Sequence, residues 1–136
     1  MKTIILAYDG SDPAKRALER TAELANGAAV TVVSAVHILA GSGRARGAVI
    51  DQDEVAERKQ ELTDAAEYLR AKGIEPKTVE PHDIDVGDAI VEEARGAAAD
   101  LIVVGSSGKN LAKRIVLGSV SSKVVHGSPC DVLVVR

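Results

Sequence analysis

Gly105-Ser106-Ser107-Gly108, followed after nine residues by Gly118-Ser119, is where this sequence carries its clearest chemistry. The apolar run Asp100-Leu101-Ile102-Val103-Val104 before it reads as a buried strand, and a helix is expected from near Gly118 to His126. A strand that empties into a glycine loop and then a helix start is a way to hold phosphate. Glycines let the backbone approach the anion, and free N–H groups at a helix N-terminus point at it. Gly105, Gly108 and Gly118 and the Ser119 hydroxyl are the candidate contacts, and Lys109 and Arg114 read either as phosphate partners or as solvated surface. The spacing is not that of a P-loop, because Gly105 and Gly108 lie too close together and Lys109 is followed by Asn110 rather than Ser or Thr. It is not the dinucleotide pattern either. Gly41-Ser42-Gly43 with Gly47 comes nearer to that, but its third glycine is one residue late and no helix starts there, so it reads as loop.

A second polar junction, Asp9-Gly10-Ser11-Asp12-Pro13, follows the first apolar run, Thr3 to Tyr8. Ser11 or Asp12 can cap a helix that Pro13 helps to begin. Elsewhere the chemistry is thin. Ser34, His37, His82 and His126 assemble neither a metal set nor a Ser/His/Asp triad by spacing. Cys130 precedes a strand and reads as a small packing residue.

The elements that must position these residues alternate regularly. After the first strand, Ala14, Ala17, Leu18, Thr21, Leu24 and Ala25 recur at helical spacing and Gly27 closes the helix. Ala29 to Val36 is a second, strongly β-prone run, and Ile38 to Ile50, rich in Gly and Arg, reads as a loop. A long helix is expected from Gln52 to Ala71, its apolar face carrying Val55, Leu62, Ala65, Ala66 and Leu69 and its other face Glu57, Arg58 and Glu61. Ile74 to Pro81 is a weak strand whose prolines and charges suit a sheet edge. Asp83 or Asp85 caps a helix bearing Val86, Ile90 and Ala94, and the chain ends in the strand Val132 to Val135.

Three of the strands are nearly continuous apolar runs, which implies burial on both faces and a parallel sheet covered by helices. The expected fold is a doubly wound five-stranded α/β domain spanning residues 1–136, with strand order 3-2-1-4-5. In that order the sheet reverses between the first and fourth strands, so Asp9-Gly10-Ser11 and Gly105 to Lys109 meet at one crevice.

The spacing G-x2-G-x9-G-[ST] resembles the signature of nucleotide-binding universal stress proteins. The likeness extends to Ala7-Tyr8-Asp9-Gly10-Ser11, to Ala99 through Gly105, and to the tail from Gly118-Ser119-Val120 through Ser128-Pro129-Cys130 to Arg136. Two positions depart from the usual pattern: Ala7, where proline is frequent, and Asp131, which replaces a proline often found before the last strand. The resemblance implies that Ala7, Asp9 and either Ala35 or Val36 hold adenine. It also implies that Gly105, Gly108, Lys109, Gly118, Ser119 and Val120 hold ribose and phosphates. The implied ligand is ATP, with Mg²⁺ bridging its phosphates, and the implied role is a homodimeric regulatory or interaction protein of the stress response. Two alternatives stand beside it: a dimer that does not bind nucleotide, and a slow Mg²⁺-dependent ATP hydrolase. An adenylyl-transferring relative is disfavoured, since the Ser-Gly-Gly-x-Asp-Ser loop of that class is absent after the first strand.

Composition narrows the partners. The formal net charge is −3, from 17 Lys and Arg against 20 Asp and Glu, which gives no electrostatic pull toward nucleic acid or anionic membrane. Tyr8 and Tyr68 are the only aromatics, so base stacking on aromatic platforms is nearly unavailable and an adenine pocket must be aliphatic. A single cysteine fits a reducing compartment, and with no signal peptide or membrane-length apolar segment the chain reads as cytoplasmic. The last strand, Val132-Leu133-Val134-Val135, is flat and apolar and falls at the less protected sheet edge. It is therefore the expected dimer contact.

Overall fold

A computed structural model describes residues 1–40, 48–106 and 117–136. Its main sheet takes β1 (Thr3–Ala7), β2 (Ala29–Val33), β6 (Lys77–Val79), β8 (Leu101–Gly105) and β9 (Asp131–Val135), in the order β6-β2-β1-β8-β9. Every pairing in it is parallel. This is the expected 3-2-1-4-5 arrangement. The helices are α1 (Asp12–Leu24), α2 (Gln52–Ala71), α3 (Val86–Gly96) and α4 (Ser119–Gly127).

Alternation along the strands divides the core into two layers, because successive side chains of a strand point to opposite faces. Ile4 and Leu6 of β1 and Leu101 and Val103 of β8 join Ala14, Ala17, Leu18, Leu62, Ala65 and Leu69 of α1 and α2 on one face. Ile5, Ala7, Ile102 and Val104 join Ile90, Ala94 and Val124 of α3 and α4 on the other. Burial of both faces explains the uninterrupted apolar runs of β1 and β8. Each fully buried Ile or Leu contributes about 1.5–3 kcal/mol relative to its exposed state.

Helix starts follow the sequence closely. Ser11 caps α1, its Oγ accepting from the Ala14 N–H at 3.2 Å. Asp51 caps α2, and of the two candidates for α3 it is Asp85 that caps, accepting from the Asp88 N–H at 2.9 Å.

Three expectations need correction. The run Ala29 to Val36 is not one strand: β2 ends at Val33, and β3 (Val36–His37) pairs parallel with β7 (His82–Asp83) in a separate small ladder. Ser34 sits at this break, fully buried, with its hydroxyl committed to Glu61. The segment Ile38 to Ile50 is not all loop, since β4 (Leu39–Ala40) pairs antiparallel with β5 (Ala48–Val49). Finally, Glu61 does not lie on the solvated face of α2. It is buried, because the Ser34 hydroxyl and the Arg58 guanidinium satisfy its carboxylate.

Candidate functional site

The strand order reverses between β1 and β8, and a cleft of about 800 Å³ opens at the C-terminal ends of these two strands, within the size range of small-molecule sites. Its floor is Ala7, Tyr8 and Asp9 from β1 and the turn after it, Val33 and Ala35 from the end of β2, and Val104 and Gly105 from β8. One wall is the start of α4, with Gly118, Ser119, Val120 and Ser121. The start of α3 contributes Ile84 to Gly87, and α2 contributes Glu54 and Arg58. This is where an open parallel sheet places its ligands.

The start of α4 is fixed to the end of β8 by one carbonyl. The Ser106 oxygen accepts from the Gly118 N–H at 2.8 Å, and the Ser121 Oγ lies 3.0 Å from it. The Ser106 N–H in turn donates to Val135 of β9 at 2.7 Å. Gly118 is the N-cap of α4 and has no side chain to cap with, and among the described residues no side chain makes a cap hydrogen bond to this helix end. The other three helices are capped by Ser11, Asp51 and Asp85. A helix beginning with uncovered amides on a cleft is suited to an anion. Ser119 is exposed there, whereas Gly118 is buried.

Asp9 serves both the turn after β1 and the cleft. Its Oδ1 accepts from the Ser11 N–H at 2.9 Å, which shapes the turn into α1, and the residue also lines the cleft. Gly10 in that turn has φ +74°, and a Cβ there would come within 3.2 Å of Glu61 Oε1. Gly105 has a structural reason to be glycine besides any ligand. A Cβ on it would lie 2.9 Å from Pro13 Cβ and 3.0 Å from the Ala14 nitrogen, so β8 and the start of α1 can meet only without a side chain.

Of the residues expected at the site, Ala7, Asp9, Ala35, Gly105, Gly118, Ser119 and Val120 line the cleft together. Of the two alternatives at the end of the second strand, Ala35 lies in the lining. Val36 is fully buried and its side chain does not reach the cleft, because the chain turns after Ser34 and Val36 packs inward. Gly108 and Lys109 lie outside the described residues.

Several lining residues were not anticipated. Glu54 Oε1 accepts from the His37 N–H at 2.9 Å and ties α2 to β3. Arg58 donates through Nη2 to Glu61 Oε1 at 2.9 Å, while Ser34 Oγ donates to the other oxygen at 3.1 Å. Ser34 and Glu61 of this trio are buried, and Arg58 is partly exposed where it lines the cleft with Tyr8. Burial, and then the Glu61, Asp64 and Asp9 carboxylates, push the Tyr8 phenol above its ordinary range. On the opposite side Lys123 pairs with Asp85. Its ammonium holds the Asp85 carboxyl below the usual range, second to the Asp88 N–H in effect. The four-residue step from Ser119 to Lys123 is the signal by which the sequence could have shown this lysine.

The sequence pattern of the universal stress protein family matches residues 1–136. A universal stress protein of Thermus aquaticus is 36% identical over 142 residues, covering 99% of this chain and 98% of that protein. A universal stress protein of Archaeoglobus fulgidus solved in complex with dAMP is 28% identical, with a TM-score of 0.75, covering 100% of this chain and 98% of that one. A universal stress protein solved in complex with cAMP is 30% identical, with a TM-score of 0.75 and coverage of 99% and 97%.

Proposed function

The chain belongs to the universal stress protein family, and from that premise we propose that it binds an adenine nucleotide, ATP, in the cleft between β1 and β8. The observation that carries this reading is the uncapped N-terminus of α4, held open at the switch point of the sheet by the Ser106 carbonyl. The phosphates lie against the Ser119 hydroxyl and the Val120 amide. The base lies beside Asp9 against aliphatic Ala7, Val33 and Ala35, with no aromatic ring to stack on. The dAMP and cAMP complexes of the two solved relatives support an adenine nucleotide as the ligand class.

These residues fit the ligand chemically. Amides free of side-chain caps suit phosphate, and the Asp9 carboxylate can accept from an exocyclic amine. Among the described residues no three His, Cys, Asp or Glu stand close enough to hold a metal ion.

In this reading residues 1–136 act as one cytoplasmic domain, and the nucleotide regulates interactions in the stress response. Slow Mg²⁺-dependent hydrolysis is a second activity to be assayed. The protein is a homodimer through antiparallel contact of two β9 strands, each an open edge whose Val132 to Val135 are only half-buried. Sedimentation as a monomer at micromolar concentration would refute that contact.

Mass spectrometry of the nucleotide that co-purifies, followed by calorimetry, tests the central reading. ATP or another adenine nucleotide is expected. Ser119→Ala should weaken binding by about 1–2 kcal/mol, the scale of a lost hydrogen bond to a charged group. No measurable affinity for any adenine nucleotide would overturn the reading in favour of a ligand-free dimer.

A further inference from the structure

Lys123 stands four residues beyond Ser119 on α4, so the two share one face of the helix. It lines the same cleft as Gly118, Ser119 and Val120. Long helical side chains lean toward the N-terminus of their helix, which carries this ammonium toward the uncapped amides. In the structure, Nζ rests on α3 instead, 3.1 Å from Asp85 Oδ2 and 3.6 Å from Asp88 Oδ1. Asp85 is at the same time the cap of α3 and a residue of the cleft wall.

The fold makes room for this lysine. A Cβ at position 87 would come within 2.7 Å of Lys123 Cβ and Cγ, so Gly87 is the gap through which the stem passes. The three charged side chains are about half exposed, at 50% for Lys123, 40% for Asp85 and 54% for Asp88. Exposed pairs of this kind stabilise a fold little. They hold a cation at the rim of an anion site without burying it. The other arginine or lysine in the lining among the described residues, Arg58, is engaged with Glu61 at the far side of the cleft.

We propose that Lys123 is the residue that reads the phosphate chain. It exchanges Asp85 and Asp88 for a phosphate oxygen of a bound nucleoside polyphosphate, so that the ligand and the cap of α3 compete for one ammonium. Nucleotides are thereby ranked by phosphate charge, and the N-terminus of α3, with exposed Ile84 beside it, responds to which one is bound. The inference rests on the cleft being a nucleotide site.

The test is calorimetric titration of the full chain with ATP and, separately, with adenosine. Lys123→Met keeps the apolar stem and removes the charge; Lys123→Gln repeats the measurement with a polar, uncharged group. Both should lose about tenfold in ATP affinity, as for a charge-assisted hydrogen bond, and leave adenosine unchanged. Asp85→Asn retains a capping side chain and frees the lysine from one carboxylate. It should raise ATP affinity severalfold, and that gain should vanish in the Lys123→Met background. Equal losses for ATP and adenosine in the Lys123 variants overturn the inference, as does an Asp85→Asn gain that survives without the lysine. A parent chain that binds neither ligand overturns the nucleotide reading itself. A parent that binds ATP with unchanged affinity in Lys123→Met overturns only the role of Lys123.

Discussion

Gly105→Ala separates what the fold demands of the glycine motif from what the ligand demands. The added Cβ would meet Pro13 Cβ at 2.9 Å and the Pro13 carbonyl carbon and Ala14 nitrogen at 3.0 Å. Comfortable carbon contacts lie near 3.5–4.0 Å, so the overlap is roughly half an ångström or more, against backbone that cannot rotate away. The first turn of α1 must retreat from β8, straining the 3.2 Å cap between Ser11 and Ala14. Overpacking of this kind costs about 1–3 kcal/mol. Replacing glycine by alanine also lowers the entropy of the unfolded chain, which returns about 0.4–1 kcal/mol. The clash wins, and a net loss of about 1–2 kcal/mol is expected from these two terms. With a urea m-value of about 1–3 kcal/mol per molar, the midpoint should fall by roughly 1 M at constant m. Nucleotide affinity should fall with it, because Asp9 and Ser11 enter the cleft from the displaced turn. A variant as stable as the parent that nonetheless fails to bind nucleotide would refute this reasoning and give the position to the ligand alone.

Glu61→Ala leaves the buried Ser34 hydroxyl without its acceptor, while Arg58 keeps Glu57 and its access to the cleft, and should cost about 1–3 kcal/mol. Glu61→Gln, which can still accept from Ser34, should cost less, and urea midpoints for the two variants check the ranking. Ala98 has φ +50°, a left-handed conformation that costs a residue with a Cβ about 1–2 kcal/mol. Ala98→Gly should therefore stabilise the chain, and a lower thermal midpoint would contradict the strain. The Asp85 carboxyl is held below its ordinary range, first by the Asp88 N–H and then by Lys123. Its contribution is complete above the unfolded value near pH 4, a carboxylate's usual range of about 3.9, and is lost as pH falls through the lower folded value. Asp85→Asn should flatten the acid limb of a plot of thermal midpoint against pH, and an unchanged limb would show the carboxylate to be uninvolved.

The sheet was legible because its strands are written without interruption. Runs such as Ile4 to Ala7 and Leu101 to Val104 imply burial on both faces and so a parallel sheet, whereas the strand order is not written in the sequence and was an inference that the parallel pairings bear out. The junctions at Asp9 and Gly105 were legible because turn chemistry is local. The break at Ser34 was not, because a small hydroxyl residue inside a β-prone run gives no local signal. It becomes a break through a partner, Glu61, that is 27 residues away. Glu61 read as a surface residue of an amphipathic helix because its i,i+3 pairing with Arg58 fits an exposed face, and only the Ser34 hydroxyl, 27 residues away, accounts for its burial. The same turn puts Ala35 in the cleft lining and leaves Val36 fully buried. Asp85 was visible as a cap from its position before a helix, but its place in the cleft required knowing that α3 and α4 pack side by side.

The most direct measurement of the central claim is a crystal structure of this chain grown with a non-hydrolysable ATP analogue. The account predicts the phosphates within hydrogen-bond distance of the Ser119 hydroxyl and the Val120 amide. It predicts the base beside Asp9 and Ala35, and the Lys123 ammonium turned from Asp85 to a phosphate oxygen. A nucleotide bound elsewhere on the molecule, or lying in the cleft with its base against the start of α4 and its phosphates at α2, would contradict it.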